Sequence, residues 1–278
     1  MKWKRIFLVG VFASLVLLTP ASAQDKIQNG IPILLYHHIS DKTTDLPDLT
    51  LSSKAFERQI RKLSWAGFET ISVAQLLDYM SGKKVNLPEK PVFISFDDGY
   101  ADNYSYAFPI LQKYKFKATI FMVGVNINAP DRLSAQEMRE MSAAGFDFGS
   151  HSVTHSDLTK LSPGAVGQEI QSSKKAIEEV IGKEVRIFSY PYGFYNVAAW
   201  EQTDFAGLEG AVTVLSGLSK RGYDNIYLMR RVPIFLYTDF DLVLQNLKEN
   251  KPKTFLLDYL PTFEDKEAKN PWDGYRGS

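Results

Sequence analysis

The chain contains no cysteine, and only four of its 278 residues are histidines. The absence of cysteine excludes disulfide bonds, so the protein must be stabilised by its hydrophobic core. It also excludes a lipid anchor on an N-terminal cysteine. Any metal site must therefore use histidine, aspartate or glutamate, and nitrogen and oxygen ligands of this kind indicate Zn²⁺ or a similar divalent ion.

The sequence also lacks an excess of positive charge, because 32 lysine and arginine residues are balanced by 32 aspartate and glutamate residues. Proteins that bind nucleic acid or anionic membranes usually carry a basic excess, so we expect neither partner. No GxGxxG, GxxxxGK(S/T) or GxSxG pattern occurs. A nucleotide-binding enzyme and a serine hydrolase with a nucleophile elbow are therefore disfavoured.

The N-terminus has the layout of a secretory signal peptide. Basic residues within the first five positions precede an apolar run over residues 6–18, and Ala21-Ser22-Ala23 supplies the small residues of a cleavage site. The run is shorter than the roughly 20 residues that span a membrane. We expect cleavage after Ala23 and an exported mature protein without a transmembrane segment. An uncleaved signal anchor is the alternative.

Short apolar segments alternate with helix-like segments along the rest of the chain. The expected strands are 31–39, 92–96, 118–123, 146–149, 185–190 and 211–215, and the expected helices are 52–67, 73–80, 135–144, 163–181 and 239–248. This alternation favours parallel βα units in a closed or nearly closed barrel, with an open doubly wound sheet as the alternative. We expect one domain over residues 24–262 and a polar tail over 263–278.

Residues able to do chemistry follow several of these strands. Asp97-Asp98-Gly99 ends one strand, and adjacent carboxylates are costly unless a metal or another cation neutralises them. A simple surface turn is the other interpretation, because Asp-Gly is a common turn pair. Pro191-Tyr192-Gly193 follows a later strand and forms either a plain loop or a pocket wall.

All four histidines also follow strands, instead of being scattered along the chain. His151 and His155 can reach one metal ion if their segment forms a helical turn. His37 and His38 end the first expected strand. Two surface histidines are the alternative for the 151–155 segment, but the clustering favours metal ligation.

These segments, in this order, resemble the polysaccharide deacetylase family, also called the NodB-homology or carbohydrate esterase 4 group. The similar pieces are FISFDDGY (93–100), ATIFMVG (118–124), HSVTH (151–155) and SYPYG (189–193). LLYHHI (34–39) looks like the start of the branch that acts on poly-N-acetylglucosamine. The resemblance spans roughly residues 32–250 and implies a distorted (β/α)7-type, NodB-like barrel of one domain.

The resemblance also implies a role for each matching residue. Asp98, His151 and His155 would bind the metal, which is expected to be Zn²⁺, with Co²⁺, Ni²⁺ or Mn²⁺ as alternatives. Asp97 would be the general base, and the backbone N–H of Tyr192 would stabilise the oxyanion. The reaction would be hydrolysis of N-acetyl groups on a polysaccharide substrate.

The sequence departs from the family pattern at two points. Many members carry an arginine where this chain has Ser189, and Arg230 or Arg231 is the candidate replacement. Many members also supply the general acid from a late histidine, but no histidine follows His155 here. His37 is the first candidate for that role, and His38 is the second.

Several substrates remain open at this stage. A poly-β-1,6-N-acetylglucosamine exopolysaccharide is favoured, and peptidoglycan, chitin oligomers or acetylated xylan are alternatives. A non-catalytic sugar-binding module is a further alternative, since two family residues are missing. Four residues are expected next to substrate or behind the catalytic groups: Tyr100, Pro191, Gly193 and Arg231. The sequence carries no signal for the oligomeric state.

Overall fold

The computed structural model describes residue 27 and residues 30–249, and its main feature is a parallel barrel. The strands are β1 (Ile33–Tyr36), β2 (His38–Ile39), β3 (Thr50–Leu51), β4 (Glu69–Thr70), β5 (Pro91–Phe96), β6 (Thr119–Met122), β7 (Asp147–Ser150), β8 (Ile187–Ser189), β9 (Gly210–Ser216) and β10 (Met229–Pro233). Seven of them form the barrel in the order β1-β10-β9-β8-β7-β6-β5. β4 pairs only with the start of β5.

The first strand closes the barrel by pairing with two neighbours. Leu34 of β1 is in register with Val232 of β10 on one side and with Ile94 of β5 on the other. An open sheet would leave the outer edges of β1 and β5 unpaired, so that alternative is wrong. The expectation of a (β/α)7-type barrel is confirmed.

The helices lie between strands, as βα units require, except the last, which follows β10. They are α1 (Ser53–Trp65), α2 (Val73–Met80), α3 (Phe108–Lys113), α4 (Ala135–Ala143), α5 (Pro163–Ile181), α6 (Val197–Phe205) and α7 (Phe240–Lys248). The hydroxyl of Ser52 accepts the Ala55 N–H and caps α1, which buries Phe56, Ile60 and Leu63. The helix that the sequence predicts over residues 52–67 is therefore confirmed.

Side chains from around the ring of strands meet inside the barrel. One cluster contains Ile33, Phe93, Phe121, Ile187, Val212 and Met229, together with buried residues of α2. Their chain neighbours, such as Leu34 and Ile94, belong to the cluster that packs against the outer helices. Strand side chains alternate between faces, so both faces of the barrel wall are apolar.

The first expected strand, 31–39, is wrong beyond Tyr36. The chain leaves the barrel at His37, and β2 pairs with β3 in a separate two-stranded sheet. The segment contains no glycine and no proline at this bend, so the sequence gives no local sign of the change. The bend places His37 at the carboxyl end of the barrel.

Three elements of the barrel have no clear signal in the sequence. α6 exposes Val197 and Phe205, which blurs its helical period. α3 is short and has a proline in its first turn. β10 has the sequence MRRVP, and its two adjacent arginines interrupt the apolar pattern that indicates a buried strand.

Two expectations lie outside the described residues, namely the signal peptide over 1–23 and the polar tail over 263–278. Within residue 27 and residues 30–249, no helix combines the length and the apolar character that crossing a membrane requires.

Candidate metal site and catalytic centre

Asp97 and Asp98 stand at the carboxyl end of β5 and face the same cavity. Asp98 has φ +71° and Gly99 has φ +67°, so the backbone reverses immediately after the strand. A Cβ on Gly99 would lie 2.1 Å from the Met122 sulfur, so only glycine fits there. In a strand, two successive side chains would point to opposite faces. The turn removes this alternation, so both carboxylates face the same cavity.

Asp97 forms a buried ion pair with Arg231. The guanidinium donates from Nη1 to Oδ1 and from Nη2 to Oδ2, each over 2.8 Å, while its Nε donates to the Thr213 carbonyl over 2.7 Å. Burial alone would raise the pKa of Asp97, but the guanidinium and the neighbouring His151 hold it well below its ordinary value. Asp97 is therefore ionised at neutral pH.

Ser189 lies within this ion pair. Its hydroxyl donates to Asp97 Oδ2 and accepts from Arg231 Nη2, both over 3.1 Å. Many family members carry an arginine at the position of Ser189. In this chain the guanidinium that binds Asp97 comes instead from Arg231 on β10. Arg230 points elsewhere and pairs with Asp224 over 3.0 Å.

Asp98, His151 and His155 form a group that can hold a metal ion. Asp98 Oδ1 lies 3.5 Å from His151 Nε2 and 3.3 Å from His155 Nε2, and all three ligand atoms are within 4.8 Å of one another. Ligands of a tetrahedral Zn²⁺, each about 2.0–2.1 Å from the ion, are about 3.3 Å apart. The residues therefore fit a zinc-like ion.

The backbone of His151 is not helical, so the expected helical turn is wrong. The two histidines meet because Ser152 and His155 both have positive φ, 64° and 59°. The Ser152 hydroxyl accepts the His155 N–H over 3.0 Å. A compact loop, and not an i,i+4 helical face, brings the two rings to a centroid separation of 4.8 Å.

The ring of His151 is oriented by a backbone group. Its Nδ1 lies 2.7 Å from the Ser189 carbonyl, which can only accept, so Nδ1 carries the hydrogen and Nε2 offers a lone pair toward Asp98. Burial lowers the pKa of His151 to about 4, although the nearby carboxylates oppose this. A neutral imidazole with a free Nε2 is the form that binds a metal ion.

His37 and the Pro191–Gly193 turn complete the cavity. The cavity has a volume of about 10 Å³ and is lined by His37, Asp97, Asp98, His151, His155, Tyr192, Gly193 and Val214. That is about the space that one water molecule needs. Tyr192 has φ +59°, and a Cβ on Gly193 would lie 2.3 Å from a Val214 methyl, so the turn requires glycine. Burial, the largest influence, lowers the pKa of His37.

Tyr100 and His38 lie next to the cavity but do not line it. Tyr100 is 3% exposed, its ring stacks on His38 at 3.4 Å between centroids, and the Arg132 guanidinium lies 4.0 Å from it. The structure therefore brings His37 into the cavity and leaves His38 outside. Pro191 is buried within the turn.

Sequence reasoning missed the residues that support the centre. Glu169 of α5 accepts the Val153 and Thr154 N–H groups and the Thr154 hydroxyl, over 2.8–2.9 Å. Asn103 is buried and donates its amide to the His37 carbonyl over 2.8 Å. Glu169 has the spacing of an ordinary helix-surface residue and gives no signal. Asn103 lies six residues after Asp97, but only the fold shows its partner.

The geometry agrees with the comparisons. A family model described as polysaccharide deacetylase matches residues 84–211. YxkH of Bacillus subtilis, named as a polysaccharide deacetylase, is 35% identical over 205 residues, which are 73% of this chain and 71% of YxkH. This chain belongs to the polysaccharide deacetylase family. It is a hydrolase that acts on carbon–nitrogen bonds.

Two further relatives extend the comparison. The poly-beta-1,6-N-acetyl-D-glucosamine N-deacetylase of Staphylococcus aureus is 30% identical over 178 residues, which are 58% of this chain and 59% of that enzyme. The Streptococcus pyogenes deacetylase PplD, solved in complex with acetate, superposes with a TM-score of 0.73 at 26% identity. That superposition covers 78% of this chain and 98% of PplD. Both of these proteins are named as deacetylases.

Proposed function

We propose that this enzyme removes N-acetyl groups from a polymer of N-acetylglucosamine and that it needs a divalent metal ion, with Zn²⁺ favoured. One observation carries the proposal: the ligand atoms of Asp98, His151 and His155 lie within 4.8 Å of one another beside the ionised Asp97. A divalent ion held there would supply Lewis acidity, which acidifies water and stabilises negative charge on oxygen.

Asp97 is the proposed general base of the reaction. Its carboxylate would accept a proton from the water that attacks the acetamide carbonyl. Arg231 keeps Asp97 ionised and fixes both of its oxygens, so the base is oriented before substrate arrives. The backbone N–H of Tyr192, at the cavity wall, would donate to the carbonyl oxygen as that oxygen becomes an oxyanion.

His37 is the proposed general acid. It lines the cavity with Asp97 and Asp98, whose negative charges oppose the lowering of its pKa by burial and favour the protonated ring. The protonated ring would donate a proton to the amine as the carbon–nitrogen bond breaks. One water is consumed, and acetate and a free amine leave. Asn103 holds the His37 carbonyl and so helps to position this residue.

The favoured substrate is a poly-β-1,6-N-acetylglucosamine exopolysaccharide. One support is the staphylococcal relative, which is named for its action on this polymer. The other is the LLYHHI segment (34–39), which resembles the start of the branch that acts on poly-N-acetylglucosamine. Peptidoglycan, chitin oligomers and acetylated xylan remain alternatives, because their acetyl groups would meet the same metal ligands. We also infer that the protein is exported, on the basis of its signal-like first 23 residues.

Acetate release is the decisive test of the proposal. We expect the purified enzyme to release acetate from β-1,6-linked N-acetylglucosamine oligomers faster than from β-1,4-linked ones. Release should require added Zn²⁺ and should be lost in Asp98→Ala, which removes a metal ligand. Turnover should also fall in His37→Gln. The protein recovered outside the cytoplasm should begin at Gln24, as N-terminal sequencing would show.

The controls separate the parts of this proposal. Faster release from the β-1,4-linked oligomers would move the substrate to chitin-like or wall polymers. Release that persists in a chelator would remove the metal from the mechanism. Unchanged turnover of His37→Gln would remove His37 as the acid and leave the other roles intact.

A further inference from the structure

A polar groove lies beside the catalytic cavity, formed by β2 and by the loops that follow β2, β5 and β6. Its volume of about 590 Å³ is in the range of pockets that bind small molecules. The charged residues and the histidine that line it are His38, Lys42, Asp45, Asp102, Asp131 and Arg132. His38 of the groove adjoins His37 of the cavity in the chain, and Asp102 of the groove follows Asp98 of the cavity by four residues, so both sites lie at the same end of the barrel.

His38 is held in one orientation by a carboxylate. Its Nδ1 lies 2.6 Å from Asp102 Oδ2, and Asp102 Oδ1 accepts the Ile39 N–H over 3.2 Å. A carboxylate partner places the hydrogen on Nδ1. With its hydrogen on Nδ1, the imidazole presents the lone pair of Nε2 as a hydrogen-bond acceptor.

The Nε2 atom of His38 needs a donor that the described residues do not supply. The side chain is 7% exposed, and within residue 27 and residues 30–249 this atom has no hydrogen-bond partner. The Asp45 carboxylate lies 3.6 Å away, beyond the usual hydrogen-bond range of about 2.7–3.2 Å. Both atoms are acceptors, so a donor placed between them would satisfy both. Asp45 is 75% exposed and can move to admit one.

An ammonium group on a sugar matches this arrangement. It carries three donors and a positive charge, and three carboxylates line the groove against the two cations Lys42 and Arg132. The Nε of Arg132 is also buried and has no partner in the described part of the chain, so it can donate to a sugar hydroxyl oxygen. An acetamide would offer one uncharged donor in place of the ammonium.

We propose that the polar groove binds a glucosamine unit of a partly deacetylated polymer, with its ammonium between His38 Nε2 and Asp45. This rests on the proposed function, because the unit must be joined to the N-acetylglucosamine in the catalytic cavity. The enzyme then prefers an acetylated unit whose neighbour has already lost its acetyl group. Each product unit favours the next reaction.

The test compares two oligomers of the linkage that the enzyme prefers. One is fully N-acetylated, and the other carries a single glucosamine, placed in turn on either side of an acetylated unit. For the wild type we expect kcat/KM to be about tenfold higher with glucosamine on one side, the effect of one charge-assisted hydrogen bond. Asp45→Asn should remove most of that preference. Asp48→Asn removes the same charge from the same loop, outside the groove, and should keep the preference.

Binding decides the matter independently of catalysis. We expect a glucosamine tetramer, titrated into the metal-loaded protein at low salt and followed by NMR, to bind Asp45→Asn about tenfold more weakly than wild type. Equal binding by both proteins, or no binding, would overturn the groove proposal, as would a wild type without preference between the oligomers. If no oligomer releases acetate, the proposed function fails, and the tetramer titration still judges the groove.

Discussion

The buried pair of Arg231 and Asp97 decides the state of the catalytic centre at the scale of single residues. Arg231 is fully buried and donates three hydrogen bonds to Asp97 and Thr213. A charge in such a place is tolerated only because its partner and its hydrogen bonds are all present. Removing one partner leaves the other charge buried and unpaired.

We predict that Arg231→Met lowers the free energy of unfolding by about 3–5 kcal/mol at pH 7. In the wild type the pKa of Asp97 is depressed, so the stabilisation from the pair is complete above the unfolded pKa of about 4 and fades as the pH falls below it. In the variant, burial raises the pKa of Asp97. The loss should therefore be largest near neutral pH and shrink in acid, as urea unfolding at several pH values would show.

Arg230→Met is the matched control for this prediction. Arg230 is the chain neighbour of Arg231, but its side chain is 43% exposed and it pairs with Asp224 outside the centre. We expect a change of less than about 1 kcal/mol at every pH. A loss in Arg231→Met that does not depend on pH would mean that packing, and not the charge of Asp97, explains the effect.

At the scale of elements, a helix shapes the loop that carries the two histidines. The Glu169 side chain of α5 accepts two backbone N–H groups from residues 153 and 154. The loop has left-handed residues at Ser152 and His155, and such backbone persists only where its surroundings hold it. The candidate metal site therefore depends on a helix that contributes none of its three residues.

We predict that Glu169→Ala weakens Zn²⁺ binding by about 10–100-fold. The loop loses the acceptor for the N–H groups of residues 153 and 154, which lie between the two histidines. Competition with a chromophoric chelator would measure the affinity. Glu169→Gln keeps one oxygen acceptor for the two N–H groups and should stay close to wild type. Equal affinities for all three proteins would show that the loop holds its shape without the Glu169 carboxylate.

At the scale of the whole molecule, the interior of the barrel holds the ring of strands together. Phe121 of β6 is fully buried in the inner cluster, and it packs so closely on β7 that a Cβ on Gly149 would lie 2.4 Å from its ring. The large ring on one strand thus requires the smallest residue on the next. The strand ends that carry the centre are spaced by this packing.

We predict that Phe121→Ala lowers the free energy of unfolding by about 3–5 kcal/mol, through lost burial and an internal cavity. Phe205→Ala makes the same change on α6, where the side chain is 78% exposed, and should cost no more than about 0.5 kcal/mol. Denaturant unfolding of both variants gives the comparison. Similar losses would contradict the assignment of Phe121 to the core of the barrel.

The sequence alone determined the class of fold and the residues able to bind a metal. Alternating strands and helices are local patterns, as are the Ser52 cap and the apolar face of α1, so they can be read from neighbouring residues. The absence of cysteine limited the ligands to nitrogen and oxygen. Asp97 and Asp98 could be recognised because adjacent carboxylates after a strand are energetically costly. The four histidines could be recognised because this residue type is rare in the chain and all four follow expected strands.

Only the tertiary structure decided which of these residues meet. The pairing of β1 with β5 closed the barrel, and the bend at His37 separated it from His38, although the sequence runs through both without a break. The structure also selected Arg231 over Arg230 as the partner of Asp97, 134 positions away in the chain. Local sequence sets the direction of a strand, but contacts between distant strands depend on the closure of the whole barrel.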